Sequence, residues 1–183
     1  KTNVSHINLP YAIAHNASYQ VNIPLLLSET ESIMQSVSMR FDFSAELIVE
    51  TDIVAIKCQV TVPIHVFFQS RGHLPRDKFL NMWKSIKPEK EAKVQIGKAR
   101  SADMEHIKTL LSIHKLFFIH HRTIPNKGDI LYYSCKMYKE VLLIEISIAV
   151  SGKGTVVVRS QDKYRSLLCV HAVQSLIDAT FAF

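Results

Sequence analysis

The chain is poor in the residues that mark specialised scaffolds. Its 183 residues hold three cysteines, five glycines and one tryptophan. Cys58, Cys135 and Cys169 are too few and too far apart for a disulfide framework, and none forms a C-x-x-C pair, so a reducing compartment is the simple expectation. No apolar run approaches the ~18–20 residues that a membrane helix needs. The opening residues KTNVSHINLP lack the basic-then-apolar order of a signal peptide, and a start on Lys1 leads us to expect a trimmed N-terminus. There is no internal repeat and no low-complexity segment. What remains is an ordinary folded composition, 48% hydrophobic and 21% charged, which excludes disorder, collagen and coiled coil. The length suits one large domain or two small ones.

Signatures of catalysis and metal binding are equally scarce. His114, His120 and His121 lie close together, but no Cys or carboxylate stands at ligand spacing beside them, and in a strand His120 and His121 point to opposite faces. Gly152-Lys153-Gly154-Thr155 echoes a phosphate loop but lacks the GxxxxGK[ST] spacing and precedes a strand, so it reads as a hairpin turn. No Ser/His/Asp signature, flanked nucleophilic Cys or marked pair of acids is present. A non-enzyme with no cofactor and no metal ion is expected.

Charge is unevenly spread over the net +6. Residues 1–74 carry four basic and six acidic groups, net −2, whereas residues 75–183 carry 18 basic and ten acidic groups, net +8. A basic second half attracts acidic peptides, lipid headgroups or nucleic acid. A basic α+β nucleic-acid-binding domain is therefore the rival reading, although Tyr132 and Tyr133 alternate faces and do not form the paired aromatics of an RNA-binding sheet. A lipid-surface role for the basic run from Lys84 to Arg100 is compatible with either.

The first half reads as strands. Tyr19–Ile23 and Met39–Phe43 alternate apolar and polar residues, and Ile53–Phe68 is rich in β-branched ones. The pattern changes at Gly72. Pro75 marks a helix start, and Phe79, Leu80 and Trp83 share a face of a helix ending near Ile86. A short strand at Lys93–Ile96 follows, then a helix from about Ser101 burying Met104, Ile107, Leu110 and Leu111. Strands are expected at Leu116–His121, Ile130–Lys136, Val141–Ala149 and Thr155–Arg159. A final helix is expected from about Gln161 to Thr180, with Tyr164, Leu167, Leu168, Ala172 and Leu176 inward. The expected fold class is α+β. A partial or reduced antiparallel β-sandwich over 1–72 leads into helices packed on an antiparallel sheet over 73–183.

Four segments together resemble the appendage, or ear, of beta-adaptins, the large beta subunits of vesicle-coat adaptor complexes. They are Pro63–Phe68, Arg76–Ile86 with Trp83-Lys84 at its centre, Asp129–Ser134, and Val141–Ile146. The likeness runs over roughly 60–183 and is thin over 1–59. It implies a sandwich followed by a platform subdomain that captures short motifs of accessory and cargo-adaptor proteins, with clathrin a further candidate partner. In clathrin-linked members the motif is a helix with two spaced aromatic or leucine anchors and a following Arg. The resemblance places the pocket on Trp83, Tyr132, Arg76, Lys84, Glu91 and Glu145. The aromatics would wall an apolar slot, Arg76 and Lys84 would suit an acidic motif N-terminus, and Glu91 and Glu145 would receive the motif's Arg. Other adaptor subunits would be reached through the rest of the protein, nucleic acid would not be a partner, and membrane contact would be indirect. The implied location is cytoplasmic, peripheral on coated vesicles or their donor membranes at the endosome, Golgi or plasma membrane. Lys57 stands where clathrin-linked members carry a second-site tyrosine, so one principal peptide site is expected.

Overall fold

A computed structural model describes residues 42–50, 55–97 and 104–180. The strand expected at Tyr19–Ile23 and most of that at Met39–Phe43 lie outside these residues. The described residues fall within one unit, Arg40–Phe183. Their architecture is α+β, in the order expected after Gly72: helix, strand, helix, four strands, helix.

Strands β1 (Asp42–Glu50) and β2 (Ala55–Pro63) form a two-stranded antiparallel sheet of their own. The β-branched run that follows is not one continuous strand. Pro63 cannot donate to a ladder and pairs only at the last register position, opposite Asp42. A 3-10 turn, Ile64–Phe67, then leads into the short β3 (Phe68–Gln69).

The second sheet is six-stranded and antiparallel throughout. It contains β3, β4 (Glu91–Ile96), β5 (Phe117–Ile124), β6 (Gly128–Met137), β7 (Glu140–Ala149) and β8 (Gly154–Arg159). The path is β3-β6-β7-β8-β4. β5 shares the outer edge of β6 with β3, pairing from Gly128 to Ser134 while β3 takes Lys136 and Met137. The β6–β7 and β7–β8 ladders are tight hairpins, with Tyr138 and Gly152 at positive φ in their turns.

Strand alternation sorts side chains between two layers. Leu131, Tyr133, Cys135 and Met137 of β6, with Leu142, Ile144, Ile146 and Ile148 of β7, are all buried. This face is covered by α3 (Lys163–Thr180), whose Leu168, Cys169, Val170, Val173 and Ile177 are buried against the sheet. The Cys135 and Cys169 thiols meet there at 3.9 Å, free and buried. α2 (Met104–Ile113) joins α3 through Met104, Ile107 and Leu111. Leu167 departs from expectation, being 39% exposed. Asp162 accepts a bond from the Tyr164 N–H and so caps α3 after Gln161, which turns Leu167 away from the buried stripe.

Among the described residues, the one helix on the other face is α1 (Arg76–Ser85). Pro75 precedes the first turn, and its carbonyl accepts the first helical bond from Phe79 N–H at 2.9 Å. Phe79 packs with Leu74, Ile86 and Leu143, and Met82, Trp83, Ile119, Tyr132 and Val141 close round this small core. One short helix therefore leaves the rest of this face accessible, including Glu145, Lys93 and Gln95, none of which is buried.

Gly72 sets how the chain crosses the end of β6. Its carbonyl accepts a bond from the buried Ser134 hydroxyl at 2.7 Å, and a Cβ there would stand 2.6 Å from Lys136 N and 2.8 Å from the Cys135 carbonyl carbon. Backbone cannot yield as a flexible side chain would. Gly72→Ala is expected to cost ~1–3 kcal/mol, the usual range for overpacking, measured by urea unfolding. Unchanged stability would show that the crossing is loose.

Candidate functional site

The accessible face centres on Tyr132. The Trp83 and Tyr132 rings meet edge to face with centroids 6.5 Å apart, and Phe79 lies beneath both, 5.6 Å from Trp83 and 5.7 Å from Tyr132. Trp83 and Tyr132 are half-buried, so each offers part of its ring to solvent. Glu145 stands opposite Tyr132 in the β6–β7 ladder, and its Oε1 accepts a bond from the Ser147 hydroxyl at 3.4 Å. Burial first, then the neighbouring Glu145 carboxylate, raise the Tyr132 phenol above its usual pKa.

Glu91 reaches the same neighbourhood through an intermediary. Arg159, at the end of β8, donates from Nε and Nη2 to Glu91 Oε2 at 2.9 and 2.8 Å, and from Nη1 to the Trp83 carbonyl at 3.0 Å. Its guanidinium also covers the Trp83 ring at 4.4 Å from the centroid. The two charged side chains are 19% and 25% exposed, dry enough for the contact to be weakly screened. Arg159 thus ties β4, β8 and α1 together and sets the tilt of the indole.

A cleft of about 340 Å³ opens beside Tyr132, lined by Arg76, Phe79, Leu80, Ile119, His120, Arg122 and Tyr132. Trp83 is not among its walls. A bulge builds one side of it. The register slips between Phe118 and His120, so that Phe118 faces Tyr133 and His120 faces Tyr132, with Ile119 extra between them. Ile119 and His120 therefore both reach the Tyr132 face.

Of the six residues singled out by resemblance, Trp83, Tyr132 and Glu145 form one contiguous group and Arg76 shares the cleft with Tyr132. Glu91 is engaged by Arg159. Lys84 is exposed on the last turn of α1, where a cation suits the negative end of the helix. Arg159, Ile119, His120 and Arg122 were not expected at this face, and Leu80, read as core, is 39% exposed in the cleft wall. Among the described residues no three His, Cys, Asp or Glu side chains are placed to hold a metal ion, and no helix is long and apolar enough to cross a membrane. Lys57 is exposed on β2, opposite Ile48.

The arginine tie is testable because Trp83 is the only tryptophan in the sequence. Arg159→Ala leaves the Glu91 carboxylate without its partner, and a loss of ~1–3 kcal/mol is expected. The fluorescence maximum, which reports Trp83 alone, should shift in the folded variant. Stability and emission both unchanged would show that the guanidinium neither braces the strands nor holds the indole.

Comparison with known proteins agrees with this architecture. The family described as "Beta2-adaptin appendage, C-terminal sub-domain" matches residues 69–177. The AP-1 complex subunit beta-1 of Rattus norvegicus is 26% identical over 137 residues, covering 74% of this chain and 14% of the relative. That of Homo sapiens gives the same figures. The AP-1 complex subunit beta of Dictyostelium discoideum is 30% identical over 95 residues, covering 51% of this chain and 10% of the relative. The chain thus spans about a seventh or less of the curated relatives it matches. With the matched region running from β3 to the last turn of α3, the chain belongs to the beta2-adaptin appendage C-terminal sub-domain family.

Proposed function

We propose that this chain is the appendage of an adaptor-complex beta subunit and recruits accessory and cargo-adaptor proteins during vesicle transport, without enzymatic activity. The observation that carries the reading is the Trp83–Tyr132 pair, two half-buried rings in edge-to-face contact on the sheet face against which α1 packs. Such rings offer large apolar area at low entropic cost, which suits the anchors of a short helical segment. Family membership and the relatives' names as complex subunits support the adaptor role.

In this reading Glu145 receives the basic end of the segment, since its Ser147 bond leaves further acceptor positions on the carboxylate. Glu91 acts chiefly through Arg159, and Arg76 and Lys84 attract an acidic end. The platform comprises residues 73–183 and the sandwich part residues 1–72. Partners are short motifs of accessory proteins, with clathrin a further candidate. The rest of the complex is joined through the remainder of the beta subunit, and membrane contact is indirect, at the endosome, Golgi or plasma membrane. The basic charge serves to steer acidic partners, not to bind nucleic acid.

Trp83→Ala is expected to weaken capture of a peptide with two spaced aromatic or leucine anchors by ~2–4 kcal/mol, the usual cost of truncating a central aromatic anchor. Titration calorimetry reads the affinity, and circular dichroism confirms that the variant folds. Undiminished affinity would remove Trp83 from the site.

Salt separates this role from nucleic-acid binding. Peptide capture on apolar anchors should weaken only mildly between low and physiological salt, because apolar burial is not screened. Each phosphate neutralised on nucleic acid releases counterions, so that mode falls steeply with salt. Tight, steeply salt-dependent binding of nucleic acid would overturn the adaptor reading.

A further inference from the structure

The cleft beside Tyr132 gathers more positive charge than the fold neutralises. Arg76 enters it from the first turn of α1, and His120 and Arg122 enter from β5. Among the described residues, none of the three forms an ion pair. Arg76 and Arg122 are exposed and His120 is half-buried, whereas the half-buried arginines elsewhere are paired: Arg159 holds Glu91, and Arg165 holds Glu140 at 3.1 Å and Asp162 at 3.4 Å. The acids near the cleft have other partners. Asp129 accepts bonds from Thr123 at 2.7 Å and meets His121 at 2.8 Å, and Glu145 accepts from the Ser147 hydroxyl at 3.4 Å. Asp77 follows Arg76 directly, and adjacent helical residues do not face one another.

The cleft floor is apolar, formed by Phe79, Leu80, Ile119 and the Tyr132 ring. Its mouth therefore offers two fixed positive charges above an apolar base, with a third available when His120 is protonated. Because α1 begins at Arg76, the positive end of its dipole lies at the same mouth.

We propose that this mouth binds a phosphoryl group on the captured segment, with Arg76 and Arg122 holding the dianion and His120 adding a proton-linked contact. The inference rests on the platform being a capture surface and supplies the chemistry of one part of its ligand. Charge matching favours a phosphoryl group over a carboxylate. A dianion cancels both arginines and presents three acceptor oxygens, whereas a carboxylate cancels one charge.

The pH dependence has a definite sign. The groups around His120 are Arg76 on α1, His121 and Arg122 on β5, and Tyr132 on β6, with Glu145 opposite Tyr132 on β7 beyond it. Burial, then the charges of Arg76, His121 and Arg122, hold His120 below its usual pKa. A bound anion offsets that repulsion and raises the pKa, so binding takes up a proton. The contribution of His120 to affinity therefore grows as pH falls through the histidine range.

The test is a nitrogen-15 chemical-shift titration of the whole chain with phenyl phosphate, benzoate and phenol, at about pH 6.5 and about pH 8. Shifts from phenyl phosphate should cluster at Arg76, Leu80, His120 and Arg122, with affinity about tenfold above benzoate or phenol, and Arg76→Gln or Arg122→Gln should each lower it about tenfold. His120→Gln should bind as the parent does at the higher pH and lack the parent's relative gain at the lower one. Comparing the two proteins with the same ligand cancels the ligand's own titration. Trp83→Ala should keep phenyl phosphate binding, because Trp83 is outside the cleft. Loss of peptide capture in that variant with phosphate binding intact supports both readings, whereas peptide capture without any saturable shift in the cleft overturns this one alone. Equal affinity for benzoate would make the mouth a carboxylate site and overturn the phosphoryl assignment. Sedimentation with phosphatidylcholine vesicles containing phosphatidylinositol 4-phosphate, lost in both arginine variants, would place the phosphoryl group on a lipid and overturn the segment assignment.

Discussion

The site hangs on one guanidinium. Arg159 stands at the end of β8, yet its five donors and flat face reach β4 through Glu91, the backbone of α1 through the Trp83 carbonyl, and the indole itself. Charge-assisted bonds of this kind are roughly twice as strong as neutral ones, and here both partners are mostly withdrawn from water. Without the tie, α1 would be held to the sheet mainly by Phe79 and its few neighbours. A ten-residue helix has little stability of its own, so its attachment decides whether Trp83 faces Tyr132.

The two faces of the sheet divide the work. The α3 side is a continuous apolar core, with Tyr133, Leu142, Ile144, Ile146, Val156 and Val158 fully buried. The α1 side has a small core at one corner and polar or half-exposed residues over the rest. The stability of the platform therefore comes chiefly from the α3 face and not from the face that carries Trp83 and Tyr132. The α1 face is free to carry arginines, a histidine and half-exposed rings whose full burial the fold does not need.

Much of this was legible in the sequence because it depends on local periodicity. Phe79 and Trp83 lie a turn apart, and the alternation in β6 and β7 placed Tyr132 and Tyr133 on opposite faces. Three features were hidden for physical reasons. Arg159 finds Glu91 across 68 residues of chain, and no spacing rule links them. The bulge at Ile119 breaks the two-residue period on which strand reading depends. Leu80 adjoins Phe79 in sequence but sits about 100° round the helix, and the core takes so narrow a stripe of α1 that it is left out. Trp83, Tyr132 and Glu145 were singled out through resemblance, because residue type alone does not distinguish a surface aromatic from a core one.

The bulge has a consequence for how such surfaces diversify. β5 is an edge strand, and its inner neighbour β6 is anchored on its other side by β7. Deleting Ile119 would remove the extra residue and leave the Phe118–Tyr133 and His120–Tyr132 pairs, and every later pair of β5 up to the hairpin, in place. His120 and Arg122 would stay at the cleft, because the face of each later residue is set by its partner on β6, and the cleft would lose only the apolar wall that Ile119 supplies. Among related appendages, gain or loss of a single codon at this bulge is thus a short evolutionary route to a differently walled cleft, and it leaves the pairing of the sheet as it is.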